Sequence, residues 1–133
     1  MVSLANQVFT ELKSALQQQV PSAHAALRPS KTLTEFPAVV FYQYDNVLAE
    51  HSLDFSGLTS EVTFQVDLYN KQDTRDELEE KMIACVNGVL EGRFHMKRVY
   101  ARYWEEEDPA APEAYRLTLR YTCTVDEDKE IIL

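Results

Sequence analysis

The segment from Glu61 to Tyr69 alternates apolar and polar residues along its whole length. Because successive side chains of a β-strand point to opposite faces, this alternation predicts a strand with one buried face and one polar face. A sheet built on such a strand is covered on one side only, which is typical of antiparallel sheets. The apolar positions are Val62, Phe64, Val66 and Leu68, and the others are Thr63, Gln65, Asp67 and Tyr69.

A second strand, at 115–125, shows the same alternation. Less regular runs predict further strands at 38–45, 50–56 and 95–104. A turn at Ser56–Gly57 is predicted between the strands at 50–56 and 61–69. On one face of the strand at 115–125 lie Tyr115, Leu117, Leu119, Tyr121, Cys123 and Val125, and on the other lie Arg116, Thr118, Arg120, Thr122 and Thr124.

Two amphipathic segments predict helices. In the first, residues 3–20, apolar side chains recur every four positions, and Pro21 ends the helix. In the second, residues 74–91, Thr74 and Glu77 have the spacing of a capping box, and Gly92 is the predicted C-terminal stop. The apolar residues are Leu4, Val8, Leu12 and Leu16 in the first helix, and Leu78, Met82, Cys85, Val86, Val89 and Leu90 in the second.

These segments together predict one α+β domain over residues 1–133, with the order α-β-β-β-α-β-β. We expect a mostly antiparallel sheet with two helices packed on one face. The predicted parts are a helix at 1–20, a loop at 21–35, a β-meander at 36–69, a helix at 74–91, a long-loop hairpin at 95–125 and a tail at 126–133.

Composition excludes several classes of protein. The net charge of −9 disfavours a dedicated duplex-DNA binder, which needs a surplus of Lys and Arg to neutralise phosphates. Cys85 and Cys123 lie in apolar runs without a C-x-x-C neighbour, which predicts two buried thiols in a reducing cytosol. The N-terminus lacks a signal-peptide pattern, and no apolar run approaches the ~20 residues that span a bilayer. We therefore expect a soluble protein on the cytoplasmic side, without a membrane partner.

Charged residues are clustered. Acidic residues gather at the start of the second predicted helix, and five of the seven arginines lie in the last third of the chain. Arg98, Tyr100, Arg102 and Trp104 would share one face of strand 95–104, beside Arg116 and Arg120. The acidic cluster is Asp73, Asp76, Glu77, Glu79 and Glu80, where the helix dipole alone also favours acids.

These arginine and aromatic residues form a predicted arginine stripe, for which three interpretations stay open. It is a solvated face with arginines stacked on aromatic rings, a site for single-stranded nucleic acid, or a subunit interface. The net charge argues against the second. For the third, a head-to-tail ring needs two complementary patches on each subunit. The candidate interface residues are Asp76, Glu77, Glu80, Arg98, Arg102, Arg116 and Arg120.

A run of four acids, Glu105, Glu106, Glu107 and Asp108, lies in the predicted hairpin loop. It is either a solvated loop tip or, in a ring, a set of acids that line or rim a channel. A negative wall repels phosphates, so DNA would pass through without sticking.

No pattern predicts catalysis. His24, His51 and His95 lack metal-site spacing, and no glycine-rich phosphate loop is present. Ser56–Gly57 lacks the nucleophile-elbow pattern, and Cys85 falls beside an apolar helix face, where a thiol is inert. We predict no catalytic, cofactor-binding or metal-binding residue, and a protein that is not an enzyme.

Three segments carry a family resemblance: the strand opening Phe36–Phe41, the turn Leu53–Gly57 that leads into Glu61–Tyr69, and the closing strand Tyr115–Tyr121 after the second helix. In these segments the chain resembles the tail-terminator proteins of long-tailed bacteriophages and prophages, which include minor tail and tail-completion proteins. The resemblance covers about residues 1 to 125 in order and length.

The resemblance implies a subunit of a hexameric ring that caps the growing tail tube, stops its polymerisation and offers a docking face for the head. The implied partners are other copies of the chain, the tail-tube protein and a head-completion protein, with DNA only in passage. The implied locations are the host cytoplasm during assembly and the tail or neck of the virion. The alternatives are another neck or minor capsid component, or a small dimeric α+β ligand-binding module or enzyme.

Overall fold

The computed structural model describes residues 4–27, 35–51, 58–105, 114–126 and 131–132. Within these ranges no helix has the length and apolar character needed to cross a membrane. The predicted order α-β-β-β-α-β-β is confirmed, with one short strand added at the end. The elements are α1 (Leu4–Gln19), β1 (His24–Leu27), β2 (Ala38–His51), β3 (Leu58–Asn70), α2 (Gln72–Asn87) with a π-helical continuation (Gly88–Arg93), β4 (Lys97–Tyr103), β5 (Tyr115–Asp126) and β6 (Ile131–Ile132).

The strands form one sheet in the order β1-β2-β3-β5-β4, and β6 pairs with the end of β5. Strand β1 runs parallel to β2, and the other pairs are antiparallel, which confirms a mostly antiparallel sheet. The long central strand β3 is hydrogen-bonded to β2 on one side and to β5 on the other. Side chains that lie opposite each other in an antiparallel pair share a face, so the register assigns residues of β2, β3 and β5 to common faces.

Two strand predictions need correction. The predicted loop 21–35 contains β1, whose four residues show no alternation and take their hydrogen bonds from β2. The predicted strands 38–45 and 50–56 are parts of one strand as far as His51, and residues 52–56 lie outside the described ranges. Two register shifts, at Gln43/Asp45 and at Leu48/Glu50, interrupt the alternation of β2 without ending the strand.

Both ends of α2 also differ from prediction. The helix begins at Gln72, Lys71 is its N-cap residue, and no side-chain cap is formed. Thr74 lies inside the helix and donates from Oγ1 to the Lys71 carbonyl oxygen at 3.2 Å, so the predicted capping box is wrong. Gly92 lies within the π-helical continuation, and the left-handed residue that turns the chain into β4 is His95, with φ of 56°.

The core lies between one sheet face and the two helices, which confirms that both helices pack on the same face. The side chains of Val8, Leu12 and Leu16 in α1 are buried together with Met82 and Val86 in α2. Three rings cross this layer: Phe9 stacks on Phe41 at 6.3 Å between centroids, and Phe41 stacks on Phe64 at 5.2 Å. The helices pack on the apolar face of β3, as the alternation of its residues predicts.

Cys85 and Cys123 are free, buried thiols within this core. Burial raises the pKa of both, that of Cys123 to about 11. A thiol with a raised pKa is protonated at neutral pH and is a poor nucleophile. Both cysteines therefore act as small apolar core residues.

We expect Phe64→Ala to lower the free energy of unfolding by about 3–5 kcal/mol, because it removes a fully buried ring from the centre of the stack. Phe9→Ala, at the half-buried end of the same stack, should cost clearly less. Urea unfolding followed by circular dichroism measures both. Equal losses for the two variants would contradict the assignment of Phe64 to the core.

Candidate subunit interface

The face of the sheet opposite the helices is polar, and its side chains form one connected network. Gln65 and Asp67 of β3 point to this face because their neighbours, Phe64 and Val66, point into the core. The register places Gln65 opposite Tyr42 and Arg120, and Asp67 opposite Thr118. Three adjacent strands thus bring their polar residues together in the middle of this face, which we call the open face.

Asp67 is the centre of the network. Its side chain is only 3% exposed. Thr118 Oγ1 donates to Asp67 Oδ1 at 2.5 Å, and Arg116 Nη2 lies 3.3 Å from Oδ2. Gln65 Nε2 lies 3.2 Å from both carboxylate oxygens, and the Tyr42 hydroxyl donates to Oδ2 at 3.4 Å. The carboxylate is therefore buried but well paired, which is the condition under which a buried charge is tolerated.

The network continues to Arg120 through Gln65. Arg120 Nε donates to Gln65 Oε1 at 2.9 Å, while Gln65 Nε2 donates to the Tyr42 hydroxyl oxygen. Asp67 is thus linked to both Arg116, directly, and Arg120, through the Gln65 amide. This arrangement fixes the height and direction of two guanidinium groups above the sheet.

Aromatic rings hold the arginines in place from above. Arg102 and Arg116 both lie on the Trp104 ring, at 3.8 and 4.6 Å from its centroid. Trp104 Nε1 donates to Thr118 Oγ1 at 2.8 Å, so the indole is anchored to the Asp67 network. We call the surface formed by Arg102, Arg116 and Arg120 the arginine face.

Arg120 is held in the same way by two tyrosines. Its guanidinium carbon lies 3.9 Å from the ring centroid of Tyr44 and 4.2 Å from that of Tyr100. These stacking contacts are those of the solvated, stacked-arginine interpretation. Binding of single-stranded nucleic acid needs ring faces that bases can reach. Guanidinium groups already lie on the rings of Trp104, Tyr44 and Tyr100, which argues against this interpretation. The interface role of the arginines stays a prediction.

Arg98 does not belong to this face, which corrects the predicted stripe. A register shift lies between Arg98 and Tyr100, so Arg98 lies opposite Tyr121 while Tyr100 lies opposite Arg120. Tyr121 is a core residue on the helix-facing side, and its pKa is raised by burial and lowered in part by Arg98. The bulge at Val99 breaks the two-residue period, so neighbours in the sequence pattern separate onto opposite sides.

The predicted acidic residues lie on the other side of the sheet. Asp76, Glu77 and Glu80 are exposed on α2. Glu79, in contrast, is buried: its Oε1 accepts from the Tyr103 hydroxyl at 2.8 Å, and its Oε2 lies 3.8 Å from Arg75 Nε. The acids of α2 and the arginine face therefore point away from each other and cannot meet within one chain.

Of the four predicted channel or rim acids, Glu105 is exposed directly after Trp104. Glu106, Glu107 and Asp108 lie outside the described residues. Their role stays a prediction.

No metal site is found in the described part of the chain, where no cluster of three or more His, Cys, Asp or Glu side chains could hold an ion. His24 Nδ1 pairs with Glu35 Oε2 at 3.1 Å. A groove of about 400 Å³ lies between α1 and the end of α2, lined by Glu11, Gln18, Cys85 and Arg93 among others. Arg93 pairs with Glu11 across it, so its two strongest charges already satisfy each other.

Comparisons with known proteins come from structure alone, since no model of a known protein family and no curated protein matches the chain. The structure matches one chain of the solved virion of a native gene transfer agent (GTA) particle, with a TM-score of 0.52 and 15% sequence identity. The alignment covers 90% of this chain and 92% of that one. The two chains share a fold.

Sequence patterns missed the centre of the site. Asp67, Gln65 and Thr118 were recognised only as polar-face residues, and Tyr42 was not singled out. The available signal was an acid in the middle of β3 with arginines at matching positions of β5. Without the strand register, nothing in the pattern pairs Asp67 with Thr118 and Arg116.

We expect Asp67→Ala to lower the free energy of unfolding by about 3 kcal/mol. The substitution leaves the Arg116 guanidinium, only 20% exposed, without its carboxylate partner. Arg102→Ala, an exposed control on the same face, should cost less than about 1 kcal/mol, the value of one exposed stacking contact. Chemical denaturation measures both, and a loss below that of the control would remove Asp67 from the centre of the network.

Burial, followed by the charge of Asp67, raises the pKa of Tyr42 from 10.0 to about 12. A raised pKa means that the fold favours the neutral phenol. Its contribution to stability is present below pH 10 and is lost as the pH rises from 10 to 12. We expect unfolding curves across this range to show a steeper loss for the wild type than for Tyr42→Phe, which has no such proton. Parallel curves would contradict this assignment.

Proposed function

We propose that the chain is a structural protein of a phage-type virion that acts by forming a ring, as a tail terminator does. The observation that carries the proposal is the fold shared with a chain of the gene transfer agent virion over nearly the whole length of both. The likeness concerns a virion as a whole, so another neck or minor capsid component is the nearest alternative. The resemblance at Phe36–Phe41 and Glu61–Tyr69 favours the terminator.

The placement of charge supports assembly into a closed ring. Each subunit has an arginine face on the open side of the sheet and exposed acids on α2, on the opposite side. Two different patches on opposite sides are what a head-to-tail contact requires, and such contacts form a ring when the rotation between neighbours closes. Complementary charge in such a contact sets register and partner choice more than affinity.

In this proposal the function is geometric and needs no catalysis. One surface of the ring matches the last ring of the tail tube, and the other cannot be extended by a further tube subunit. The ring is made in the host cytoplasm, is kept in the tail or neck of the virion, and contacts the tail-tube protein and a head-completion protein. The acids at Glu105 and after it rim the channel and repel DNA in passage.

The ring proposal is tested by mass in solution. Light scattering after size exclusion should give about six times the 15.3 kDa mass of one chain. A monomer at every concentration would overturn the proposal, and a dimer carrying a small molecule would support the ligand-binding alternative in its place.

Charge reversal tests the contact itself. We expect Arg102→Glu with Arg120→Glu to shift the oligomer to smaller species, because two cations of the arginine face become anions that meet the acids of α2. Adding Asp76→Lys and Glu80→Lys to the same chain should restore assembly with the signs exchanged.

The matched control is Lys13→Glu with Arg98→Glu, which makes the same charge change at exposed positions off the arginine face. It should leave the mass unchanged. An unchanged oligomer in the Arg102 and Arg120 variant, or no restoration by the fourfold exchange, would show that these two patches do not meet.

A further inference from the structure

Two exposed tyrosines lie on the helix-facing side of the sheet, at the edge of the region that α2 covers. Tyr103, at the end of β4, is 53% exposed, and Tyr115, at the start of β5, is 40% exposed. The Arg75 guanidinium of α2 lies 5.4 Å from the Tyr103 ring centroid and 4.5 Å from that of Tyr115. The hydrogen bond from Tyr103 to Glu79 fixes the first ring further. The two rings are thus exposed yet held in place, so little entropy is lost when a partner covers them.

Acids border these rings. Glu80 directly follows Glu79, whose Oε1 accepts the hydrogen bond of Tyr103, and Asp76 directly follows Arg75, whose guanidinium lies on both rings. Asp76 lies one turn before Glu80 on the same stripe of α2 and is exposed. We call Tyr103, Tyr115, Asp76 and Glu80 the tyrosine–acid surface.

The arginine face has the matching composition with the opposite charge. Tyr44, 51% exposed, stacks on Arg120, and Arg102 is exposed beside Trp104. Among the described contacts of this cluster, one carboxylate, Asp67, lies among its three guanidinium groups. Protein interfaces concentrate binding energy in Tyr, Trp and Arg residues at the centre and place charged groups at the rim. Each of the two surfaces has such a centre, and their rims are complementary.

We infer that Tyr103 and Tyr115 form the apolar centre of the contact in which the tyrosine–acid surface of one subunit docks on the arginine face of a second copy of this chain. This contact presupposes the proposed ring, and the two tyrosines contribute most of the affinity between neighbouring subunits. Because the two surfaces lie on opposite sides of the sheet, every subunit uses both, one toward each neighbour.

Truncation of the rings tests their share of the affinity. Tyr103→Ala with Tyr115→Ala should raise the dissociation constant of the subunit contact at least about tenfold in sedimentation equilibrium. Tyr103→Phe with Tyr115→Phe keeps the rings and should retain assembly. Leu27→Ala, which truncates an exposed apolar residue on β1 at the other edge of the sheet, should have no effect.

Mixing two defective variants tests the pairing of surfaces. The Tyr103→Ala, Tyr115→Ala chain keeps its arginine face, and the Arg102→Glu, Arg120→Glu chain keeps its tyrosine–acid surface. Each alone should be monomeric. The mixture should form a dimer of one chain of each kind and nothing larger, because only one intact contact exists between them.

The outcomes separate the two claims. A wild type that forms rings, with alanine variants that form the same rings, overturns the inference and leaves the proposed function standing. A mixture that stays monomeric beside an assembling wild type also overturns it. A monomeric wild type overturns the proposed function, and the inference with it. If the alanine chain does not fold by circular dichroism, Asp76→Lys with Glu80→Lys takes its place in the mixture. Both contacts then join opposite charges, so the mixture should form rings of alternating chains, and a mixture that stays monomeric overturns the inference.

Discussion

A buried carboxylate, Asp67, organises the polar side chains on the face of the sheet opposite the helices. The Asp67 carboxylate is shielded from solvent. Its charge is tolerated there because hydrogen bonds from Thr118, Gln65, Tyr42 and Arg116 take the place of hydration. The same contacts fix Arg116 directly and Arg120 through Gln65, and Trp104 is anchored to Thr118. The arginine face is therefore a rigid, prearranged surface, and one anion holds two of its three cations.

The two faces of the sheet differ in chemistry: one supplies the apolar core, and the other, in the proposed ring, contacts a neighbouring subunit. The helix-facing side of β2, β3 and β5 packs on α1 and α2 around the Phe41–Phe64 stack and supplies the core. Helix α2 covers the end of β4 in part: the Tyr103 hydroxyl donates to Glu79, yet Tyr103 stays 53% exposed beside the acids of α2. The subunit is thus left with one basic and one acidic surface on opposite sides. In the proposed ring this arrangement favours head-to-tail contacts over symmetric dimers, which would bring like charges together.

Sequence patterns predict the helices and strands that have a local period, but they do not predict the contacts that depend on strand register. The alternation at Glu61–Tyr69 and at 115–125, and the four-residue repeat of α1, are local, and all three elements are confirmed. Strand β1 was missed because four residues in a parallel pair have no pattern of their own. Arg98 was placed on the wrong face because a bulge before Tyr100 reverses the alternation. The Asp67 network was out of reach, since Tyr42 and Thr118 lie 25 and 51 positions away from it in the chain.

Electron cryomicroscopy of the purified wild-type protein tests the ring proposal, because it shows both whether subunits form rings and which surfaces touch. We expect closed rings in which the arginine face of each subunit covers Tyr103 and Tyr115 of the next, with Glu105 toward the channel. Monomers, symmetric dimers, or rings whose contacts leave Arg102, Arg120 and the two tyrosines in solvent would contradict it.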